Sequence, residues 1–334
     1  MRIGLAGAGR IGAFHAATLA GLDDVEQLVV TDAVPEAATR LADQGGHEVA
    51  ADLEELLTRV DGLVITSSTL SHSELLRQAV AARVPTFCEK PVAMTLEETH
   101  QVNDLVEASQ VPVQVGFQRR FDQGYRQAQA AVRSGELGFV HTVRANTHDQ
   151  SPPPAAYIPT SGGLYRDCGV HDFDIIRFVT GREVVSVFAT GANKGDAYFA
   201  EGGDVDTAAA VLTLDDDTLA VVTATRYNGA GHDVRLEVMG SGGTVGVGYD
   251  DSLAVRSVEP DVDFPRGPQK WSFMERFLPA YRRELGVFTD VVAGRAGTPC
   301  TVRDAYQAFR VAEACEVSRA TGQPVQLSEI AGAR

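Results

Sequence analysis

The first 12 residues constrain the fold more than any other stretch of the chain. Residues 2–6 read as a short buried strand, and Gly7-Ala8-Gly9-Arg10-Ile11-Gly12 follows without a break and opens a helix. In that G-x-G-x-x-G spacing the first glycine permits a tight turn, the second lets the backbone approach a pyrophosphate, and the third lets the helix pack closely on the strand. The helix N-terminus then faces the phosphates with its unpaired N–H groups. Alone the pattern is weak. Here a second strand, 27–31, ends at Asp32, about 20 residues past the third glycine, where an acid can accept both ribose hydroxyls of an adenosine and repel a 2′-phosphate. The combination predicts a dinucleotide site and, through the charge of Asp32, NAD over NADP.

Strand and helix go on alternating, with helices near 35–42 and 52–59, a strand 62–66, a helix to about 82, a strand 86–88, a helix 96–109 and a strand 111–115. Five strands are read, and their order predicts a doubly wound parallel sheet that has six strands when complete. Loops at the carboxyl ends of such strands meet ligand. Candidate cofactor contacts are therefore Gly7, Gly9, Arg10, Ile11, Gly12, Asp32, Thr66, Ser67, Ser68, Glu89 and Lys90, with His72 either structural or a neighbour of the cofactor. Ser71 stands three residues before Glu74 and predicts a capping box at that helix start. Lys90 precedes Pro91, which confines it to extended conformations and fixes its ammonium; the alternative is a surface lysine in a turn.

A length of 334 residues predicts two domains, placed at 1–118 and 119–334. Past Gly116 the character changes. A helix runs to about 133, a strand covers 140–147, and a long loop, 148–163, contains Pro152-Pro153-Pro154. A helix is then expected to start just after Gly162-Gly163 and to stop at Gly181, with Val170, Phe173, Ile176 and Val179 as its apolar stripe. Asp167 and His171, four apart, share a face of such a helix, as a base and its orienter would. On the residues alone, a first-turn acid beside a histidine on a solvated face stays open. Alternating runs at 184–189, 206–214, 219–227, 233–239 and 244–247, followed by helices near 273–293 and 302–320, predict a C-terminal α+β domain with an open, mostly antiparallel sheet. Its free face is a candidate oligomer interface. Candidate substrate contacts, by position only, are Arg119, Asn146, His148, Tyr157 and His232.

The formal charge of −16 opposes nucleic acid or an anionic membrane as partner, because either requires a basic face. No run of 18 apolar residues predicts a membrane span, and the N-terminus enters a strand with no room for a leader, so a cytoplasmic location is expected. The four cysteines, Cys88, Cys168, Cys300 and Cys315, have no ligand spacing and read as small packing residues. The eight histidines include no HxxxH, and no metal is expected.

The glycine-rich start, Phe87-Cys88-Glu89-Lys90-Pro91, the run Gln114-Val115-Gly116-Phe117-Gln118-Arg119-Arg120-Phe121-Asp122 and the run Arg166-Asp167-Cys168-Gly169-Val170-His171-Asp172-Phe173-Asp174 together resemble the glucose–fructose oxidoreductase/inositol dehydrogenase family. The resemblance covers nearly the whole chain and is greatest for the bacterial inositol 2-dehydrogenase branch. It implies a catalytic set of Lys90, Asp167 and His171, which are also substrate contacts, an N-terminal Rossmann domain, and often a homotetramer built by packing C-terminal sheets. It further implies an NAD(P)-dependent oxidoreductase that converts a secondary alcohol of a cyclic polyol or sugar, myo-inositol-like, to the ketone. The residue types suit that chemistry, since a positioned imidazole accepts the hydroxyl proton, a carboxylate orients it and an ammonium stabilises developing alkoxide charge. Gln118 departs from the apolar residue frequent in the inositol branch, and dehydrogenases of other sugars in the family share every motif quoted. A protein that binds NAD without turnover is the alternative from another class.

Overall fold

The computed structural model describes residues 1–330. The chain divides into two compact units, Met1–Phe121 with Pro279–Tyr306, and Asp122–Leu278 with the described residues from Gln307 onward. Pro279–Tyr306, which a division at 118 and 119 assigns to the second domain, clusters with the first unit.

In the first unit the elements are β1 (Arg2–Ala6), α1 (Arg10–Leu19), β2 (Gln27–Thr31), α2 (Pro35–Gly45), β3 (Glu48–Val49), α3 (Leu53–Leu57), β4 (Gly62–Ile65), α4 (Thr69–Ala81), β5 (Thr86–Glu89), α5 (Leu96–Ser109) and β6 (Val113–Gly116). The sheet order is β3-β2-β1-β4-β5-β6 and every pairing is parallel, which is the order of a doubly wound dinucleotide-binding sheet. Ile3, Leu5, Leu28, Val30, Val64 and Phe87 are fully buried, as expected of parallel strands covered on both faces. The two-residue strand β3 carries no readable alternation and is absent from the sequence expectation. The capping box expected at Ser71 does not form. Helix α4 starts a residue after Ser68, which occupies the N-cap position without a side-chain capping bond. Ser71 lies inside the first turn, where its hydroxyl donates to the Ser68 carbonyl, and Glu74 accepts from Gln78 instead.

In the second unit come α6 (Gln123–Ser134), β7 (Val140–His148), α7 (Ile158–Ser161), α8 (Val170–Thr180), β8 (Val184–Ala192), α9 (Tyr198–Glu201), β9 (Thr207–Leu214), β10 (Leu219–Thr225), β11 (Asp233–Gly240) and β12 (Gly243–Val247). Helices α10 (Phe273–Val292) and α11 (Val302–Thr321) carry the chain across the unit boundary, and β13 (Val325–Gln326) ends it. The sheet runs β12-β11-β7-β10-β9-β8-β13, antiparallel except for β7 beside β10. Its two faces differ sharply. The lateral row Ala189, Ala210, Val222, Ala145 and Leu236 is buried, and Thr147 on the same face bonds Asp172 of α8 at 2.7 Å. One residue along each strand lies the opposite row, Phe188, Val211, Val221, Arg144 and Glu237. There Phe188, Val211, Leu219 and Val221 are 44%, 43%, 48% and 37% exposed, an apolar strip on an uncovered sheet face.

The stretch expected as one helix after Gly162-Gly163 is a π-helical turn, Tyr165–Gly169, followed by α8. The apolar stripe is as expected, with Val170, Phe173, Ile176 and Val179 buried. Burying each such side chain contributes about 1.5–3 kcal/mol. Three charged side chains off that stripe, Asp172, Asp174 and Arg177, are buried too, with Asp172 taking the Thr147 hydroxyl and Arg177 forming a two-pronged pair with Glu183. Buried charges require such partners. The loop 148–163 also holds structure of its own, a 3₁₀ turn at Ala155–Tyr157 and α7.

Candidate active site

In the first unit the candidate cofactor residues collect at the carboxyl ends of β1, β2, β4 and β5. The glycine turn is built as the spacing demands. A Cβ on Gly7 would lie 2.4 Å from the Ser67 nitrogen, and one on Gly12 would lie 1.9 Å from the Gly7 carbonyl oxygen and 3.0 Å from the Thr66 hydroxyl. Gly9 is different, since a Cβ there meets nothing within 4 Å. It is also the N-cap of α1, with no side-chain capping bond and no acid in the first turn. The uncapped N-terminus carrying Arg10, Ile11 and Gly12 thus opens on free space beside the second glycine, which fits a pyrophosphate. Asp32 ties the second strand end to this turn, accepting from the Ala8 N–H at 2.7 Å and the Val34 N–H at 2.8 Å. The Thr66 hydroxyl donates to the Gly7 carbonyl at 2.8 Å, and the Ser67 and Ser71 hydroxyls meet at 2.8 Å. His72 is buried, with its ring nitrogens 2.7 Å from the Pro91 carbonyl and 3.0 Å from that of Ser67.

Glu89 and Lys90 close β5. The Glu89 carboxylate lies 2.6 Å from Nε2 of His15 and accepts from the Lys90 N–H at 3.2 Å. His15, on α1, is fully buried among Phe14, Phe87 and Tyr281, and nothing local in the sequence marks it as Glu89's partner. Burial, then the charges of Glu89 and Glu284, push the Tyr281 hydroxyl well up, while Arg119 and Arg10 act in the other direction. Arg119, a candidate substrate contact by position, is a buried residue of the 3₁₀ turn Gln118–Phe121 in this unit.

In the second unit a chain of charges organises the other candidates. Asp167, in the π-helical turn, accepts from Nη2 of Arg226 at 2.7 Å and from the Tyr157 hydroxyl at 3.1 Å. Arg226 also donates to Asp149 at 3.0 Å and lies 2.9 Å from Sγ of Cys168, and Asp149 faces His232 at 3.4 Å. Burial opposes the Arg226 charge, but Cys168, Asp167 and Asp149 together outweigh it and raise its pKa. Burial raises the Asp149 carboxyl, yet the neighbouring His232 and the Arg226 charge leave it lowered overall. The Tyr157 hydroxyl is raised by burial and by Asp167. Tyr157, Asp167 and His232 are thus gathered in one network with Arg226 and Asp149, which position along the sequence did not single out. His171 follows in the first turn of α8; because Asp167 stands in a π-turn, their spacing is not that of a regular α-helix.

Asn146 and His148 stand at the end of β7. Strand alternation puts them on the face opposite Thr147, whose hydroxyl reaches α8. Asn146 bonds the Asp233 carbonyl at 3.0 Å, and His148 meets Thr223 at 3.0 Å and Asp233 at 3.8 Å. Burial lowers the His148 pKa, against the nearby acids. All four cysteines are buried, and none is in a disulfide. Among the described residues no group of three or more His, Cys, Asp or Glu side chains is placed to hold a metal ion, and no helix is long and apolar enough to cross a membrane.

The sequence matches the oxidoreductase family with an NAD-binding Rossmann fold over residues 1–117, and the GFO/IDH/MocA C-terminal domain over residues 125–246. It is 40% identical to the myo-inositol dehydrogenase Hyg17 of Streptomyces leeuwenhoekii across 96% of this chain and 98% of that protein. The chain belongs to the GFO/IDH/MocA oxidoreductase family. The myo-inositol dehydrogenase of Corynebacterium glutamicum has the same fold, with a TM-score of 0.89, 34% identity and 98% of each chain covered. The scyllo-inositol dehydrogenase of Lactobacillus casei, solved with NAD(H) and scyllo-inositol bound, superimposes with a TM-score of 0.87 at 27% identity, covering 98% of this chain and 99% of that one. The first unit is therefore an NAD-binding Rossmann domain, and the protein is an NAD-binding oxidoreductase.

Proposed function

We propose that this protein oxidises a secondary alcohol of a cyclic polyol, an inositol, to the ketone with NAD, and that His171 accepts the hydroxyl proton. The observation that carries the reading is the Asp167 carboxylate, fixed by Arg226 and Tyr157 one turn before His171, in a chain that aligns end to end with inositol dehydrogenases. When bound, NAD supplies the two-electron acceptor for the carbinol carbon. The chain's part is to hold and move the proton. His171 takes it, Asp167 sets the tautomer and offsets the imidazolium charge, and Lys90 stabilises the developing alkoxide. A sensor that only binds NAD has no use for such a proton acceptor. A panel of inositols, aldoses and sugar nucleotides followed by nicotinamide absorbance tests the reading: turnover is expected with an inositol, and tight NAD binding without turnover of any compound would replace it with the sensor.

Cofactor choice rests on Asp32. Two N–H groups occupy one lone pair on each carboxylate oxygen, and a carboxylate has about four acceptor positions, so both ribose hydroxyls find acceptors while a 2′-phosphate is repelled. Asp32→Ser is expected to raise kcat/KM for NADP relative to NAD. A wild type that already prefers NADP would refute this role.

The apolar strip of Phe188, Val211, Leu219 and Val221 supports a homo-oligomer, with a tetramer as the expected size, packed through the uncovered sheet face. Light scattering at micromolar concentration is expected to give a multiple of 35.6 kDa, and Val211→Asp with Val221→Asp is expected to give the monomer. A monomeric wild type would count against this interface.

A further inference from the structure

We propose that His72 is a positioning residue that couples the NAD-binding turn to Lys90. Its ring spans two strand ends, with Nδ1 2.7 Å from the carbonyl of Pro91, the residue after Lys90, and Nε2 3.0 Å from the carbonyl of Ser67. Ser67 is itself seated on the glycine turn, so closely that Gly7 has no room for a Cβ against its nitrogen. A continuous set of contacts therefore runs from Gly7 through Ser67 and the His72 ring to Pro91 and Lys90. The side chain is 1% exposed and sits on the inner face of α4 with Leu76, Ala79 and Val80, so no water replaces it readily. An apolar residue of similar size would fill the space and leave both carbonyls without the ring's N–H. A neutral ring donates to one of the two carbonyls and a protonated ring to both. In either form it sets the distance between the two backbones.

The consequence concerns the position of the ammonium, not its chemistry. Lys90 extends from a backbone whose next carbonyl is held from α4, and a misplacement of about 1 Å can cost roughly 100-fold in rate. The inference rests on the reading of Lys90 as the electrostatic partner of the alkoxide. It adds that this partner is registered to the cofactor turn through a side chain that touches neither substrate nor cofactor.

The test is a double-mutant cycle with myo-inositol as the probe substrate and NADH binding followed by fluorescence. His72→Leu is expected to lower kcat by about 10- to 100-fold and to weaken NADH binding by a smaller factor. His72→Asn, whose amide still donates, is expected to recover at least half of the loss on a logarithmic scale. In a Lys90→Ala background, His72→Leu is expected to change kcat by less than about twofold, because a misplaced group that is already absent costs nothing. A crystal structure of His72→Leu with NADH supplies a readout apart from turnover, with the Lys90-Pro91 backbone expected to move by about 1 Å. Equal losses from His72→Leu in both backgrounds, or an unmoved Lys90-Pro91 backbone, would overturn the coupling alone. Lys90→Ala at the wild-type rate would overturn the reading of Lys90, and the coupling with it.

Discussion

His171→Ala is expected to lower kcat by about 10² to 10⁴, the usual cost of losing a positioned general base, while NAD affinity stays nearly unchanged. The separation is expected because the residues that form the NAD turn, Gly7, Gly9, Gly12 and Asp32, lie in the first unit, and His171 belongs to the second. Asp167→Asn should also slow turnover. An amide presents a donor where the carboxylate presents only acceptors, and it no longer balances the imidazolium charge. The surroundings sharpen that expectation. Nη2 of Arg226 and the Tyr157 hydroxyl both donate to Asp167, one to each carboxylate oxygen, so an amide NH₂ must face one of these donors. In the wild type, kcat/KM for alcohol oxidation should rise with pH through one ionisation that belongs to the pair Asp167 and His171. A His171→Ala enzyme with the wild-type kcat and pH profile would end the assignment and leave Lys90 as the base.

What could be read from the sequence was what local spacing encodes. The glycine turn, the acid after β2 and the apolar stripe of α8 follow from rules that act within one or two turns or strands. Arg226 and His15 escaped because their partners are remote, with Arg226 59 residues from Asp167 and His15 74 residues from Glu89. No local pattern announces either pair. The face of β7 that α8 covers is a different case. The parity of β7 was legible, since Val143, Ala145 and Thr147 alternate with Arg144, Asn146 and His148, but parity does not say which face a later helix will cover. Only the packing of α8, through Asp172 on Thr147, decides it. The π-turn before α8 likewise has no sequence signal, so the spacing of Asp167 and His171 was read on a regular α-helix where the chain makes a π-turn.

Replacing the second and third glycines of the NAD turn is expected to produce two different defects. At Gly12 a new Cβ would stand 1.9 Å from the Gly7 carbonyl oxygen and 2.9 Å from its carbon. Both are backbone atoms, and no flexible side chain can move away. Helix α1 or the turn must shift, so Gly12→Val is expected to cost about 1–3 kcal/mol of stability as overpacking does. The same shift misplaces the uncapped N–H groups of α1, and NADH affinity should fall by about 10- to 100-fold, as 1.4 to 2.8 kcal/mol would give. Gly9 has an extended backbone with φ of −73° and open space where its Cβ would be, so alanine fits the protein without strain. Gly9→Ala should therefore keep its stability within about 0.5 kcal/mol. Its methyl would occupy the space through which the pyrophosphate approaches the backbone, and NADH binding should still weaken by about tenfold or more. Chemical denaturation and NADH titration of both variants separate the two effects. If Gly9→Ala binds NADH as the wild type does, the pyrophosphate does not lie against this turn, whatever the glycine spacing implies.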